Sequence, residues 1–297
     1  MVSPKNSGLL LIVLASILWG TTGLTSKILN QLSAVDALSV GALRLLTASP
    51  ALLLLAQALN PGSLAPLFKR EWRATLLMGL SIAAYNGCFF AALARTSVTA
   101  GTLLALCTAP LFVAVLARAF LSEPLTRPVL GALAAGLTGT ALLVGGQGGK
   151  DLLRLDYALG NLLALGAGLA YAVYALMGRA KTHNAPPASL AALSFTAAAM
   201  LLTPFALANG LRWPTNWPAW LAVLYLGLGP TALAYALYLR GLKTVPATVA
   251  SIGTLVEPLT ASVLAALLLG ERLQGWGLVG AGLLLSSLGI LMWGNRQ

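Results

Sequence analysis

The stretch Thr96-Ser97-Val98-Thr99-Ala100, followed by Pro110 and then Ser122-Glu123-Pro124-Leu125, returns further along the chain. At a constant offset of 148 residues it is met again as Thr244-Val245-Pro246, Pro258 and Gly270-Glu271-Arg272-Leu273. Thr96 matches Thr244, Pro110 matches Pro258, Val115 matches Val263 and Glu123 matches Glu271. Leu and Ala coincidences carry no weight in a chain that is 58% hydrophobic. Working outward from this pair, the chain divides into ten apolar segments near 8–27, 36–58, 73–95, 98–120, 127–145, 157–180, 187–208, 217–240, 245–269 and 274–294. Each is roughly 20 residues, the length that crosses about 30 Å of hydrocarbon. Segments 4 and 5 correspond to 9 and 10, with 3 and 8 aligned before them, so residues 1–150 and 151–297 read as two five-helix copies. Five is odd, so the second copy enters the membrane from the opposite side. The expected fold is an all-α polytopic membrane protein of ten transmembrane helices in two inverted repeats, an architecture suited to alternating access.

Composition agrees. Charged residues make up 8% of the 297, against about 25% in a soluble domain, and the short connections leave no room for a separate soluble unit. The net charge of +11 comes from 18 Lys and Arg scattered over loops and helix ends, which argues against nucleic acid as a partner. Cys88, Cys107 and the single histidine, His183, have no metal-ligand spacing, so neither a metal nor another cofactor is expected. The charged start at Lys5 resembles a signal peptide, but the apolar run continues to about Lys27 and is retained as segment 1. With the N-terminus inside, eleven basic residues, among them Lys69, Arg70, Arg73, Arg179, Lys181 and Lys243, face the cytoplasm and seven face outward. That balance puts both termini in the cytoplasm. Trp72, Trp213, Trp217, Trp220, Trp276 and Trp293 fall at segment ends, where an indole sits at headgroup depth, whereas Trp19 is mid-segment, facing lipid or packing inside.

Several short motifs carry a resemblance. Trp19-Gly20, Ala42-Leu43-Arg44, Ala92-Leu93-Ala94-Arg95-Thr96-Ser97, and the Pro110 and Pro258 segments with their following Glu123-Pro124-Leu125 and Glu271-Arg272-Leu273 resemble the drug/metabolite transporter superfamily. Its EamA-type exporters have ten helices in two five-helix copies, so the resemblance covers the whole chain. Within them the chain is most similar to bacterial aromatic amino-acid exporters. The resemblance implies a secondary transporter of the bacterial inner membrane, not an enzyme, exporting aromatic or other apolar amino acids and related metabolites. It also implies that segments 1, 3, 6 and 8 line a central cavity.

Those segments hold the interior aromatics. Segment 3 carries Tyr85 and Phe89 at i,i+4 with Asn86 and Phe90 one step round; segments 6 and 8 carry Tyr171/Tyr174 and Tyr235/Tyr238 at i,i+3, each pair on one helix face. Segment 1 adds Trp19, which the repeat places opposite Tyr171. Any one pair by itself reads better as packing; their joint occurrence on repeat-related segments favours a cavity that stacks planar or apolar solutes. Glu257 lies mid-segment, where a charge costs roughly 3 kcal/mol or more. It must face the interior, find a cation such as Arg44, or carry a proton. Binding a substrate ammonium, carrying a coupling proton and pairing structurally with Arg44 all remain open. Segment 4 has Ala109 in place of this acid, and Pro110 and Pro258 read as hinges or packing kinks.

Gly131, Ala135 and Gly139 of segment 5 and Gly277, Ala281, Gly282 and Ser286 of segment 10 form small-residue stripes that suit scaffolding or a homodimer face, and Gly160, Ala164 and Gly168 form another on segment 6. Gly275-Trp276-Gly277-Leu278-Val279-Gly280 fits GxGxxG, but no strand precedes it. Gly149-Lys150 has neither the first Gly nor the Ser/Thr of a phosphate loop, so direct ATP drive is not expected. Other readings are a multidrug or other metabolite exporter of the same fold, a channel, a membrane-embedded enzyme or a scaffold subunit. An enzyme would need a cluster of catalytic groups in the membrane, for which the sequence offers only Glu257, Arg44 and Asn86.

Overall fold

A computed structural model describes residues 4–145, 155–269 and 275–294. Lys150, Asp151, Arg154, Glu271, Arg272 and Arg296, with the boundary between 150 and 151, lie outside them. The described residues contain helices and no strand. Ten stretches are long and apolar enough to cross a membrane, as lipid demands of a backbone that must satisfy its own hydrogen bonds. The helices are α1 (Pro4–Gly20), α2 (Thr22–Ser33), α3 (Ala37–Leu59), α4 (Leu64–Leu93), α5 (Val98–Phe120), α6 (Arg127–Gly145), α7 (Ala158–Lys181), α8 (Pro187–Ala208), α9 (Trp217–Gly227), α10 (Ala234–Leu242), α11 (Ala247–Gly253), α12 (Val256–Leu269) and α13 (Gly275–Gly294).

Local chemistry sets the ends. Asp36 caps α3 by accepting from Ser39 N at 3.0 Å, Ser97 caps α5 through Ala100 N at 3.2 Å, and Asn216 caps α9 through Ala219 N at 2.9 Å. Pro187 opens α8, where its missing N–H costs nothing. The chain reverses after α3 and after α8 through Gly62 and Gly210, with φ of +73° and +79°.

Three of the ten segments are interrupted near mid-depth. Segment 1 divides between α1 and α2 at Thr21, segment 8 holds a π-helical turn, Leu228–Leu233, between α9 and α10, and segment 9 divides between α11 and α12 at Thr254-Leu255. Side chains and short bonds take up the backbone groups released there. Thr21 Oγ1 donates to the Leu18 carbonyl at 2.7 Å and receives the Tyr225 hydroxyl at 2.9 Å. Thr231 Oγ1 donates to the Leu226 carbonyl at 2.7 Å. The Thr254 carbonyl, which cannot be served by Pro258, accepts from Glu257 N at 2.9 Å. The interrupted segments pack on one another, α1 against α10 and α12, and α2 against α9. Segments 3, 4 and 6 form a second trio, with α4 and α5 both on α7, and none of these three is divided.

The stripe on α7 is filled from within: Gly160 lies on Arg95-Thr96 and Gly168 on Thr108. Likewise α6 packs on α13 through glycines, where a Cβ on Gly139 would stand 2.7 Å from the Gly280 carbonyl oxygen and one on Gly280 2.6 Å from that of Gly139. Gly131 and Gly282 have nothing within 4 Å of a Cβ. The six end-of-segment tryptophans lie on the periphery, with Trp213 and Trp220 packed together, while Trp19 is buried rather than lipid-facing. Gly275–Gly280 forms the first turns of α13, and no strand occurs among the described residues to give it the context of a dinucleotide fingerprint.

At one end of the bundle, Arg179 Nη1 donates to the carbonyls of Leu242 and Lys243 at 2.8 and 3.1 Å, and Arg179 Nε lies 3.5 Å from Glu123 Oε1. Glu123 accepts from Ala247 N at 2.8 Å and from Thr248 N and Oγ1 at 3.2 Å. It thereby caps α11, which has no side-chain cap of its own. Segment 1 begins at this same end, with Gly8 beside Thr244 and Val245. The opposite end is tied by Ser33 to Thr215 at 2.8 Å, Asn216 to the Leu32 carbonyl at 2.7 Å, and Arg212 to the Ala34 carbonyl at 3.2 Å.

Candidate functional site

The broken segments and the aromatic pairs meet at the centre. Helical spacing puts Tyr85 and Phe89 of α4 in a stack, 5.9 Å between centroids and 6° apart. Tyr85 meets Tyr171 of α7 at 6.4 Å, and the Tyr171 hydroxyl donates to that of Tyr238 on α10 at 3.0 Å. Trp19 packs on Tyr235 at 4.8 Å and on Tyr238 at 5.3 Å, so Trp19 and Tyr171 meet at Tyr238. Tyr174 closes on Tyr235 at 5.6 Å. All seven aromatics singled out by spacing therefore join one continuous set of ring contacts.

Two further rings complete it, of which the spacing argument misses Phe195. Phe195 of α8 lies 4.6 Å from Tyr235 and 6.3 Å from Tyr174, and Phe90 lies 5.8 Å from Phe89. Phe195 is a lone mid-segment aromatic with no i,i+3 partner; its signal was its isolation in an Ala-rich run.

The polar groups are few. Asn86 is buried, and its amide donates to the Ile82 carbonyl at 2.8 Å on its own helix. Trp19 Nε1 is a buried donor that meets no acceptor. Arg44 of α3 reaches the π-helical turn of segment 8, where its Nε donates to Thr231 Oγ1 at 3.0 Å. Glu257 stands in the first turn of α12, directly after the break. It and Arg44 are not within 4.0 Å of each other, so they form no contact ion pair. Thr231 and the turn around Pro230 were missed; Pro230 in mid-segment was the available signal.

Pro258 sits at the break in segment 9, whereas Pro110 lies inside the undivided α5, and neither makes a ring contact with the cluster. Gly20 adjoins the same break, where a Cβ would come 2.8 Å from the Glu257 carbonyl oxygen. The space bounded by Gly41, Arg44, Tyr85, Asn86, Thr231 and Tyr235 is about 10 Å³, about one water. An amino-acid side chain enters only if the rings part. Among the described residues no group of three or more His, Cys, Asp or Glu could hold a metal ion.

Comparison with known proteins fits this arrangement. The signature of the EamA-like transporter family matches twice, over residues 6–145 and 158–293. The chain belongs to the EamA-like transporter family. It is a multi-pass membrane transporter. It is 32% identical to the uncharacterized transporter YwfM of Bacillus subtilis, over 97% of this chain and 94% of that one. The aromatic amino acid exporter YddG of Ancylobacter novellus is 34% identical over 43% of this chain and 45% of its own. The threonine/homoserine exporter RhtA of Salmonella typhimurium is 37% identical over 43% and 42%. A crystal structure of a protein 21% identical in sequence superposes with a TM-score of 0.83 over 98% of both chains, so the fold is shared.

Proposed function

We propose that this transporter exports aromatic or other apolar amino acids across the bacterial inner membrane, by alternating access between two inverted five-helix halves with both termini in the cytoplasm. One observation carries the substrate class. Trp19, Tyr85, Phe89, Tyr171, Tyr174, Tyr235 and Tyr238 meet in a single cluster, flanked by a cation and a carboxylate that are not paired with each other. Rings supply stacking and apolar burial for a planar side chain. Arg44 takes the substrate carboxylate, trading its bond to Thr231 for a charge-assisted one. Glu257 takes the ammonium, and Trp19 Nε1 gains an acceptor on binding. Asn86 lines the pocket, and Pro258 and Pro110 shape the moving helices.

The family signature occurring twice supports the two-copy reading. So does the pairing of contacts: α4 with α7 is answered by α10 with α1, and α5 with α7 by α12 with α1. An exporter of small polar amino acids is the second reading, favoured by the identity to the threonine/homoserine exporter.

Efflux from proteoliposomes loaded with labelled phenylalanine or tryptophan tests this, with alanine, threonine and an unrelated cation as comparison solutes. Saturable efflux that favours the aromatic amino acids is the expected result. Efflux that favours threonine transfers the assignment to the second reading, and no flux of any amino acid from folded protein sinks both.

A further inference from the structure

Well away from the aromatic cluster, α4 bends where Glu71 leaves helical geometry (φ −121°, ψ 25°). Beside the bend a cleft of about 440 Å³ separates α4 from the end of α7. Its polar wall is Arg70, Arg73 and Lys181 around one carboxylate, Glu71. Glu71 binds Lys181 Nζ at 2.8 Å and lies 3.5 Å from Arg70 Nε, while Arg70 Nη2 donates to the Asn184 carbonyl at 2.6 Å. Arg73 has no carboxylate within 4.0 Å among the described residues; its guanidinium lies over the Trp72 ring, 5.3 Å from the centroid. Three cations thus face one anion, and a second anion would complete the cleft.

The rest of the lining is apolar apart from Trp72: Ala74, Leu77 and Met177. On the outer face next to it Leu76 and Leu80 are exposed, as lipid-facing residues are. Trp72, 46% exposed at the lip, is the residue type that settles at headgroup depth. The cleft therefore offers charge at the level of phosphates and hydrocarbon contacts immediately below. A basic pocket between helices at this depth selects anionic headgroups, and guanidinium and ammonium donors bind phosphate oxygens through charge-assisted bonds.

We propose that this cleft binds the phosphate headgroup of an anionic phospholipid, with Arg73 and Lys181 as its donors and Leu77 and Met177 along its acyl chain. A headgroup held there bridges α4 and α7, the two helices that carry Tyr85 and Tyr171.

The test is native mass spectrometry of the full-length protein released from nanodiscs of phosphatidylcholine with or without phosphatidylglycerol. The wild type is expected to retain phosphatidylglycerol in preference to phosphatidylcholine. Arg73→Gln should lower that retention by about fivefold, the factor for removing one basic residue from an anionic surface, and Arg73→Lys should restore most of it. Arg118→Gln, which removes the same charge from the same end outside the cleft, should retain lipid as the wild type does. Thermal unfolding in phosphatidylcholine alone establishes that each variant is folded. Equal retention by wild type and Arg73→Gln overturns the proposal, as does equal loss in Arg118→Gln. A competition arm separates the two sources of phosphate: displacement of the lipid by millimolar inorganic phosphate transfers the site to a soluble anion and overturns the lipid assignment.

Discussion

Segments 4 and 9 share a proline at equivalent positions and have opposite architectures. In segment 4, α5 runs undivided through Pro110 and carries its own cap, Ser97. Segment 9 splits into α11 and α12 just before Pro258, places Glu257 at the split, and borrows its cap from Glu123 of a distant loop. The same contrast holds for segment 1 against 6 and segment 8 against 3. Proline alone therefore does not break these helices; at each break a hydroxyl or a short backbone bond of the same segment takes up a freed carbonyl. The three mid-segment interruptions gather in one trio, beside Arg44 and Glu257, and the helices of the other trio run through the same depth undivided.

The borrowed cap gives the largest expected effect. Glu123→Ala removes three accepted bonds and the carboxylate beside Arg179, and should destabilise the protein by roughly 3–5 kcal/mol in denaturant unfolding. Ser97→Ala, at the self-capped counterpart, should cost only about 1 kcal/mol. Equal costs would dissolve the contrast between the two helix starts. Next is the charge beside the break: Arg44→Gln should raise the KM for amino-acid efflux roughly 10- to 100-fold, the weight of a hydrogen bond to a charged group. An unchanged KM would remove Arg44 from the site. Packing between α6 and α13, outside both trios, sharpens the map in a different way. Gly280→Val should destabilise by about 1–3 kcal/mol through overpacking while leaving the KM alone. The smallest effect is the most pointed. Pro258→Ala should lower turnover several-fold with KM unchanged, because a restored helix stiffens the hinge, whereas Pro110→Ala should leave turnover as it is. Equal responses would show that the break is not a moving part.

The ten segments were legible because hydrocarbon thickness imposes one length and one polarity on every crossing. Ring pairs at i,i+3 and i,i+4 were legible for a similarly local reason, the fixed periodicity of a helix. What stayed hidden was settled by partners far along the chain. Glu123 reads from sequence as a residue in a connecting loop, yet its acceptors serve α11, 124 residues away. Arg44 points to Glu257 when charges alone are matched, but the π-helical turn in segment 8 brings Thr231 to it instead. Segment 3 was drawn from 73; the helix begins at Leu64 and bends at Glu71, because a charged run can still be helical where it leaves the lipid. Gly20-Thr21 gave no proline to announce a break, and Thr21 supplies the replacement bond itself.

The glycine contact between α6 and α13 has a consequence for how the chain is made. Gly139 is synthesised well before the surface that receives it, Gly280 of α13, which lies 141 residues further along the chain. At about 5–20 residues per second, α6 waits on the order of ten seconds in the bilayer with its closest partner unborn. Insertase or neighbouring lipid must shield that backbone groove in the interval, and the arrival of α13 is the event that closes it.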